Sequence, residues 1–190
     1  MPNTPPMSEQ DLVSLNKDNL DRAIGFVQFA DSKASLLLTI SLALVPASVP
    51  LVPTGVRVVL ACLNPGGAGV CMAGLLVLLY GAFLFCAITS VVKLVDVVKP
   101  RLVPQTRRKS PLYYDTINQT AVEEFKKTVT EMPYAQAIDE LADQTYNNSV
   151  VAARKYALVK EGLDWMMWSG VFGMPFVVLV QVFGVVVAKS

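Results

Sequence analysis

Three long stretches without a charged residue dominate the pattern of the chain. They cover residues 34–56, 58–92 and 165–188. Each reaches or exceeds the roughly 20 apolar residues that an α-helix needs to cross the hydrocarbon core of a bilayer. A backbone inside lipid has to satisfy its own hydrogen bonds, so such spans are helices. The pattern therefore predicts an all-α membrane protein with three transmembrane helices and a cytoplasmic helical bundle.

An amphipathic helix is predicted before the first span. Ser8 can cap its start, and Asp11 follows three residues later, in the first turn. Apolar residues then recur at helical spacing as far as Ala30. No breaker separates this helix from the first span, which we place at about residues 34–52.

Prolines crowd the far end of the first span. They are Pro46, Pro50 and Pro53. Because proline removes a backbone donor, the helix is predicted to fray or kink after Leu44. Residues 53–69 are predicted to form a turn between spans, and the second span is placed at about residues 70–92.

The segment between the second and third spans is polar. A short helix is predicted over about 122–132, with acidic residues early and basic residues later, an order that suits the helix dipole. A longer helix is predicted from Tyr134, directly after Pro133. With no strong breaker before the third span, it should continue to about Ala188. The acidic run within it, Asp139, Glu140 and Asp143, is predicted to be solvated.

These elements predict four parts. They are an N-terminal cytoplasmic amphipathic helix (1–33), transmembrane spans one and two (34–92), a cytoplasmic helical module (93–164) and the third transmembrane span (165–190). Eleven of the 16 Lys and Arg residues fall in residues 93–164, and the first connection carries only Arg57. The positive-inside rule then places the N-terminus and residues 93–164 in the cytoplasm and the C-terminus outside.

Composition removes several classes of function. The chain has no His, and its three Cys residues show no paired spacing, so neither a metal site nor a disulfide framework is expected. We find no nucleophile elbow, no P-loop and no carboxylate pair beside an apolar pocket, and we expect that the protein is not an enzyme. A net charge of +1 gives no reason to expect a nucleic acid polymer as a partner. The first long apolar run begins only at Ala34, so no cleavable signal peptide is expected.

Two groups of residues beside the spans could bind a ligand. Asp31 and Lys33 precede span one; they could form a switch at the membrane surface, or Lys33 could extend to the interface while Asp31 pairs with another cation. Arg154, Lys155 and Tyr156 precede span three. Arg154 and Lys155 could bind a phosphate and Tyr156 could stack on a base, but basic residues beside a span also suit anionic lipid.

The order of these motifs resembles that of the Pycsar effector transmembrane family. The segment 30–38 (ADSKASLLL) is similar to the D-x-K-A segment of that family. Then follow an aromatic pair before an acidic residue (113–115), a helix with Tyr146, and Lys155-Tyr156-x-Leu158 before the last span. The resemblance covers roughly residues 15 to 185, and its strength comes from the order and spacing of short motifs.

The resemblance implies a role in bacterial anti-phage defence. Effectors of this family respond to a cyclic pyrimidine mononucleotide, cyclic UMP or cyclic CMP, made by a partner uridylate or cytidylate cyclase upon infection. They then impair the integrity of the inner membrane, which results in abortive infection. The ligand contacts that the resemblance implies are Asp31, Lys33, Lys155 and Tyr156, with Lys155 and Tyr156 as the preferred pair, and Arg154 is added because of its charge. No other cofactor is expected, and a homo-oligomer in the bilayer is expected. The chain has no separate cyclic-nucleotide-binding domain, so its helical module would have to read the ligand.

Two other functions fit the same composition. A passive membrane anchor or accessory subunit would hold another protein at the membrane and would be harmless when expressed alone. A constitutive small pore, similar to a holin, would be toxic without any cyclase.

Overall fold

A computed structural model describes residues 8–63, 67–99, 110, 112 and 114–189, and it contains no β-strand among them. The helices are α1 (Glu9–Ser48), α2 (Val52–Leu63), α3 (Gly67–Val98), α4 (Tyr114–Gln119), α5 (Val122–Thr130) and α6 (Tyr134–Lys189), with a 3-10 turn at Val49–Leu51. Three stretches, Glu9–Leu63, Gly69–Val98 and Tyr134–Val186, are long and apolar enough to cross a membrane. The predicted all-α fold with three transmembrane helices is confirmed.

The first helix begins where the capping pattern predicted. The backbone N–H of Asp11 donates to the Ser8 hydroxyl oxygen at 3.2 Å, and the Ser8 hydroxyl donates to the Asp11 carboxylate at 2.5 Å. Ser8 thus satisfies one of the backbone donors that the first turn of a helix leaves unpaired. From there α1 continues without a break to Ser48.

The predictions for the far end of span one were partly wrong. The helix was predicted to fray or kink after Leu44; it continues through Pro46 to Ser48 and changes to the 3-10 turn at Val49–Leu51. Residues 53–63, predicted as a turn, belong to α2. Pro53 is the second residue of α2, in the first turn, where no backbone donor is required, so this proline helps to start a helix.

The helix that leads into span three is confirmed. It runs as one element from Tyr134 to Lys189 and has Pro175 inside it. The short helix predicted over 122–132 is α5, which ends two residues earlier. Helix α4 was not predicted, because its six residues are too few to show an apolar period.

The chain divides into two compact units. Unit 1 contains described residues of 1–30 and 100–155, and unit 2 contains those of 31–99 and 156–190. Helices α1 and α6 each contribute residues to both units. The four-part division made from the sequence stays a prediction.

Unit 2 has two apolar clusters. The first joins α1, α3 and α6 through Ala34, Leu94, Val97 and Val159, all of which are buried. The second joins α2, α3 and α6 through Val58, Leu76, Phe176 and Val180. Helix α2 is therefore part of the packed bundle of unit 2, which explains why an apolar sequence that was expected to turn is helical.

Unit 1 buries small apolar side chains together with charged groups. The apolar residues are Ala23, Ala30 and Ala152, each at most 6% exposed. The charged residues are Glu140, which is 2% exposed, and Lys155, which is 7% exposed. Burying a charge is costly unless other polar groups compensate it, so these two side chains constrain how unit 1 packs.

One close approach in unit 2 can be tested through Gly162 of α6. A Cβ atom at this position would lie 2.7 Å from Cδ2 and 2.8 Å from Cγ of Leu94, whose side chain is fully buried. Gly162→Ala is expected to destabilise the protein by about 1–3 kcal/mol, the usual cost of overpacking. A thermal unfolding curve of the detergent-solubilised protein measures this change.

Gly74→Ala is the matched control, because nothing lies within 4 Å of a Cβ placed there. Its melting temperature should stay unchanged or rise slightly, since alanine favours a helix more than glycine does. Equal melting temperatures for the two variants would contradict the close packing of α3 against α6.

Candidate functional site

Two residues predicted to contact a ligand meet in unit 2. The Lys33 ammonium nitrogen lies 6.0 Å from the centre of the Tyr156 ring, at the distance of a cation–π contact. Lys33 belongs to α1 and Tyr156 to α6, so this contact joins two different spans. It brings together a positive charge and an aromatic face, the two groups that a nucleotide phosphate and base would use.

The first apolar cluster of unit 2 positions this pair. Lys33 directly precedes Ala34, and Tyr156 lies three residues, about one helical turn, before Val159. Both neighbours are buried in the cluster. Since α1 and α6 pack against each other at this cluster, the neighbouring side chains of Lys33 and Tyr156 are held within reach of each other.

The other three predicted ligand residues have different surroundings. Asp31 belongs to unit 2 and is half-buried, whereas Arg154 and Lys155 belong to unit 1. Arg154 is exposed and Lys155 is buried. Asp31 and Lys155 both take part in interactions within the chain. A ligand that binds Lys155 would thus have to reach a side chain that is already buried in the fold.

A chain of hydroxyl groups crosses the three spans of unit 2. The Ser90 hydroxyl donates to the backbone carbonyl of Gly162 at 2.8 Å. The Ser41 and Ser90 oxygens are 3.3 Å apart, and because Ser90 uses its proton on Gly162, Ser41 is the donor between them. Both serine side chains are fully buried. Helices α1, α3 and α6 are therefore joined at one level by two hydrogen bonds.

An ion pair lies next to these hydroxyl groups. Lys93, three residues after Ser90, binds Glu161, the neighbour of Gly162, with 2.7 Å between nitrogen and oxygen. Both side chains are partly exposed, so the pair adds little stability by itself. It marks the point where the uncharged parts of α3 and α6 end.

Aromatic side chains follow at the adjoining level of the same helices. Trp165 of α6 packs edge-to-face on Phe85 of α3, with ring centres 5.8 Å apart, and Trp168 stacks on Phe172. Tryptophan is enriched at the interface between lipid and water. These rings and the ion pair together indicate one boundary of the membrane-embedded part.

The prediction for one acidic residue was wrong. Glu140 was predicted to be solvated with Asp139 and Asp143, but it is 2% exposed and accepts a hydrogen bond from the Ser110 hydroxyl. The backbone N–H of Leu112 also donates to the Ser110 oxygen, at 3.2 Å. Asp139 is exposed, as predicted. Only the contact with a residue 30 positions away distinguishes Glu140 from its neighbours, and no local pattern reveals such a contact.

Some of the predicted features cannot be placed. Tyr113 of the aromatic pair lies outside the described residues, and so do the side chains of Tyr114 and Asp115. Among the residues that are described, no group of three His, Cys, Asp or Glu side chains could hold a metal ion.

The hydroxyl chain leads to a stability prediction. Ser90→Ala removes both hydrogen bonds and is expected to destabilise the bundle by about 0.5–1.5 kcal/mol, in the range measured for hydrogen bonds between membrane helices. Thr39→Ala is the control, because the Thr39 hydroxyl donates only within its own helix, to the Ser35 carbonyl. Melting temperatures in detergent compare the two variants, and an equal loss for both would contradict a bond between helices.

Comparison with known proteins assigns the family. The sequence profile of the Pycsar effector protein domain matches residues 16–184 of the chain. No curated protein and no solved structure shows a significant match. The matched range contains the whole of α2–α5, most of α1 and α6, and all five predicted ligand residues. The chain therefore belongs to the Pycsar effector protein domain family and acts as an effector of anti-phage defence.

Proposed function

We propose that this effector is gated by a cyclic pyrimidine mononucleotide, cyclic UMP or cyclic CMP, and that its response impairs the bacterial inner membrane. A partner uridylate or cytidylate cyclase supplies the nucleotide upon infection, and loss of membrane integrity causes abortive infection. The observation that carries the proposal is the contact of Lys33 with Tyr156 between two spans. The family supports the defence role.

The chemistry of the pair suits such a ligand. The Lys33 ammonium group can bind the cyclic phosphate, and the Tyr156 ring can stack on the pyrimidine. In the absence of ligand the two groups contact each other, so binding replaces one cation–π contact by two contacts with the nucleotide. Asp31, which is half-buried in the same unit, can add a contact to the base.

The response follows from the position of the pair on the helices. Lys33 and Tyr156 each lie one to three residues before a member of the first apolar cluster, so a change in their spacing acts on the packing of α1 against α6. The nucleotide can shift the bundle only by its different affinity for the two packings. A shift from 1:99 to 99:1 requires about 5.5 kcal/mol, which several subunits that bind ligand together can supply.

The leak itself requires more than one copy. We infer that chains assemble in the bilayer, because the two buried clusters of unit 2 pack the helices of a single chain against one another. At Gly81 of α3, an added Cβ would meet nothing within 4 Å, so the backbone there is open to a neighbour. Small residues of this kind let membrane helices approach closely. The N-terminus faces the cytoplasm in this proposal, in agreement with the distribution of Lys and Arg.

Liposomes loaded with a fluorescent dye test the proposal. Addition of cyclic UMP or cyclic CMP to inserted protein is expected to release the dye, and Tyr156→Leu should raise the half-maximal nucleotide concentration by about tenfold. The reason is that stacking of a base on an aromatic ring contributes about 1–3 kcal/mol, and about 1.4 kcal/mol corresponds to a factor of ten. Lys33→Gln should have an effect of the same direction.

Matched controls are available on the same helices. Tyr134→Leu changes an exposed tyrosine of α6, and Lys17→Gln changes an exposed lysine of α1; neither should shift the nucleotide dependence. Dye release without any nucleotide would identify a constitutive pore instead. No release in either condition, with insertion verified, would leave the passive anchor as the function.

A further inference from the structure

Span three carries one amide side chain, and it faces away from the bundle. Gln181 is the only Asn or Gln among residues 165–188. It is exposed, whereas Phe176 and Val180 of the same helix are buried in the second apolar cluster of unit 2. Among the residues that the structure describes, none forms a hydrogen bond with the Gln181 side chain. The described helices of a single chain therefore do not satisfy this amide.

The position of Gln181 along α6 places it inside the hydrocarbon core. It follows Trp165, which marks one boundary of the membrane-embedded part, by sixteen residues, or about 24 Å along a helix. The hydrocarbon core is about 30 Å thick. Side chains of a helix lean towards its N-terminal end, so the amide leans back towards the bilayer centre rather than out to water. An amide in hydrocarbon is costly unless it is hydrogen-bonded, so Gln181 requires a polar partner.

Gln181 belongs to a row of exposed side chains along one side of span three. The members of this row, here called the outer seam, are Met167, Val171, Met174, Val178, Gln181 and Val185. All six are exposed. Their spacing alternates between four and three residues, which is the spacing of the contact positions in a coiled coil. Most bundles of membrane helices pack with this same geometry, so the outer seam is suited to another helix.

The outer seam is complementary to a second copy of itself. Lipid chains offer the amide no hydrogen-bond partner, whereas a Gln side chain both donates and accepts. Copies of this chain that insert in the same orientation bring their Gln181 residues to the same depth. Around a two-fold axis, each amide can then donate to the carbonyl oxygen of the other. Beside Gln181, the side chains of Met167, Met174 and Val178 line a shallow groove that can receive side chains of the facing helix.

We propose that two copies of this chain associate in the bilayer through the outer seam of span three, and that a hydrogen bond between their Gln181 side chains sets the register. A single polar residue in an apolar seam fixes which positions face each other, because any other register leaves an unpaired amide. This names the surface of the assembly inferred above, and its link to the leak rests on the proposed function. The association itself is measured without nucleotide.

Energy transfer between labelled chains tests the proposal. Full-length protein labelled at its N-terminus with a donor or an acceptor is reconstituted together in phosphatidylcholine vesicles, and dilution with lipid gives the dissociation constant. Gln181→Leu is expected to raise this constant by about three- to twentyfold, the range for a hydrogen bond between membrane helices. Gln181→Asn keeps an amide and should retain most of the association. Equal dissociation constants for Gln181→Leu and the unmodified protein would overturn the proposal.

Thr39→Leu is the matched control for the loss of a polar group. Thr39 is also an exposed polar residue of a membrane-crossing segment, but its hydroxyl donates to the Ser35 carbonyl of its own helix at 3.0 Å. Its replacement should leave the dissociation constant unchanged. A loss of association as large as that of Gln181→Leu would contradict a specific role of the outer seam.

Disulfide formation between copies locates the contact. In a variant whose three native cysteines are replaced by alanine, Val178→Cys and Val185→Cys should form linked dimers several-fold faster than Leu78→Cys. Leu78 of α3 is 72% exposed and does not belong to the outer seam. Equal rates at all three positions would contradict association through this surface.

The dye-release assay separates this proposal from the proposed function. Nucleotide-dependent release by the unmodified protein, together with unchanged association of Gln181→Leu, would reject the outer seam and leave nucleotide gating intact. Weakened association of Gln181→Leu, with no nucleotide-dependent release by the unmodified protein, would support the outer seam and reject the gating.

Discussion

The hydrocarbon core of the membrane is the constraint on which this structure depends. It offers no water to a backbone, so each uncharged stretch has to satisfy its hydrogen bonds within a helix. This explains why α1 continues as a helix through Pro46. Charged side chains then return where lipid ends. The ion pair of Lys93 with Glu161, next to the last uncharged turns of α3 and α6, is where this change occurs.

Lipid also changes what holds the helices together. Apolar side chains gain nothing by leaving lipid for each other, so close packing and hydrogen bonds decide the association of spans. Unit 2 uses both at one level: the fully buried Leu94 fills the space that Gly162 leaves, and Ser90 donates to the carbonyl of the same glycine. Gly162 thus takes part both in the close packing with Leu94 and in the hydrogen bond with Ser90. A larger residue there would affect both.

The sequence predicted the features that depend on local pattern and missed those that depend on distant contacts. The spans, the Ser8 cap and the unbroken course of α6 follow from charge-free length, capping chemistry and helical period, and all three were predictable. The helical course of residues 53–63 was not, because packing on α3 and α6 decides it. Burial of Glu140 was equally hidden, since its partner Ser110 lies 30 residues away. For the site, the resemblance selected Asp31, Lys33, Lys155 and Tyr156, with Lys155 and Tyr156 as the preferred pair; the contact of Lys33 with Tyr156 required the structure.

The position of that contact explains how a small ligand could affect a whole bundle. Spans one and three are held together by the first apolar cluster and by the hydroxyl chain. Separating the first cluster would expose Leu94 and Val97, which are now fully buried. Contacts that oppose the separation of α1 from α6 therefore lie next to Lys33 and Tyr156. A molecule that enters between these two residues would therefore act directly on the packing of α1 against α6.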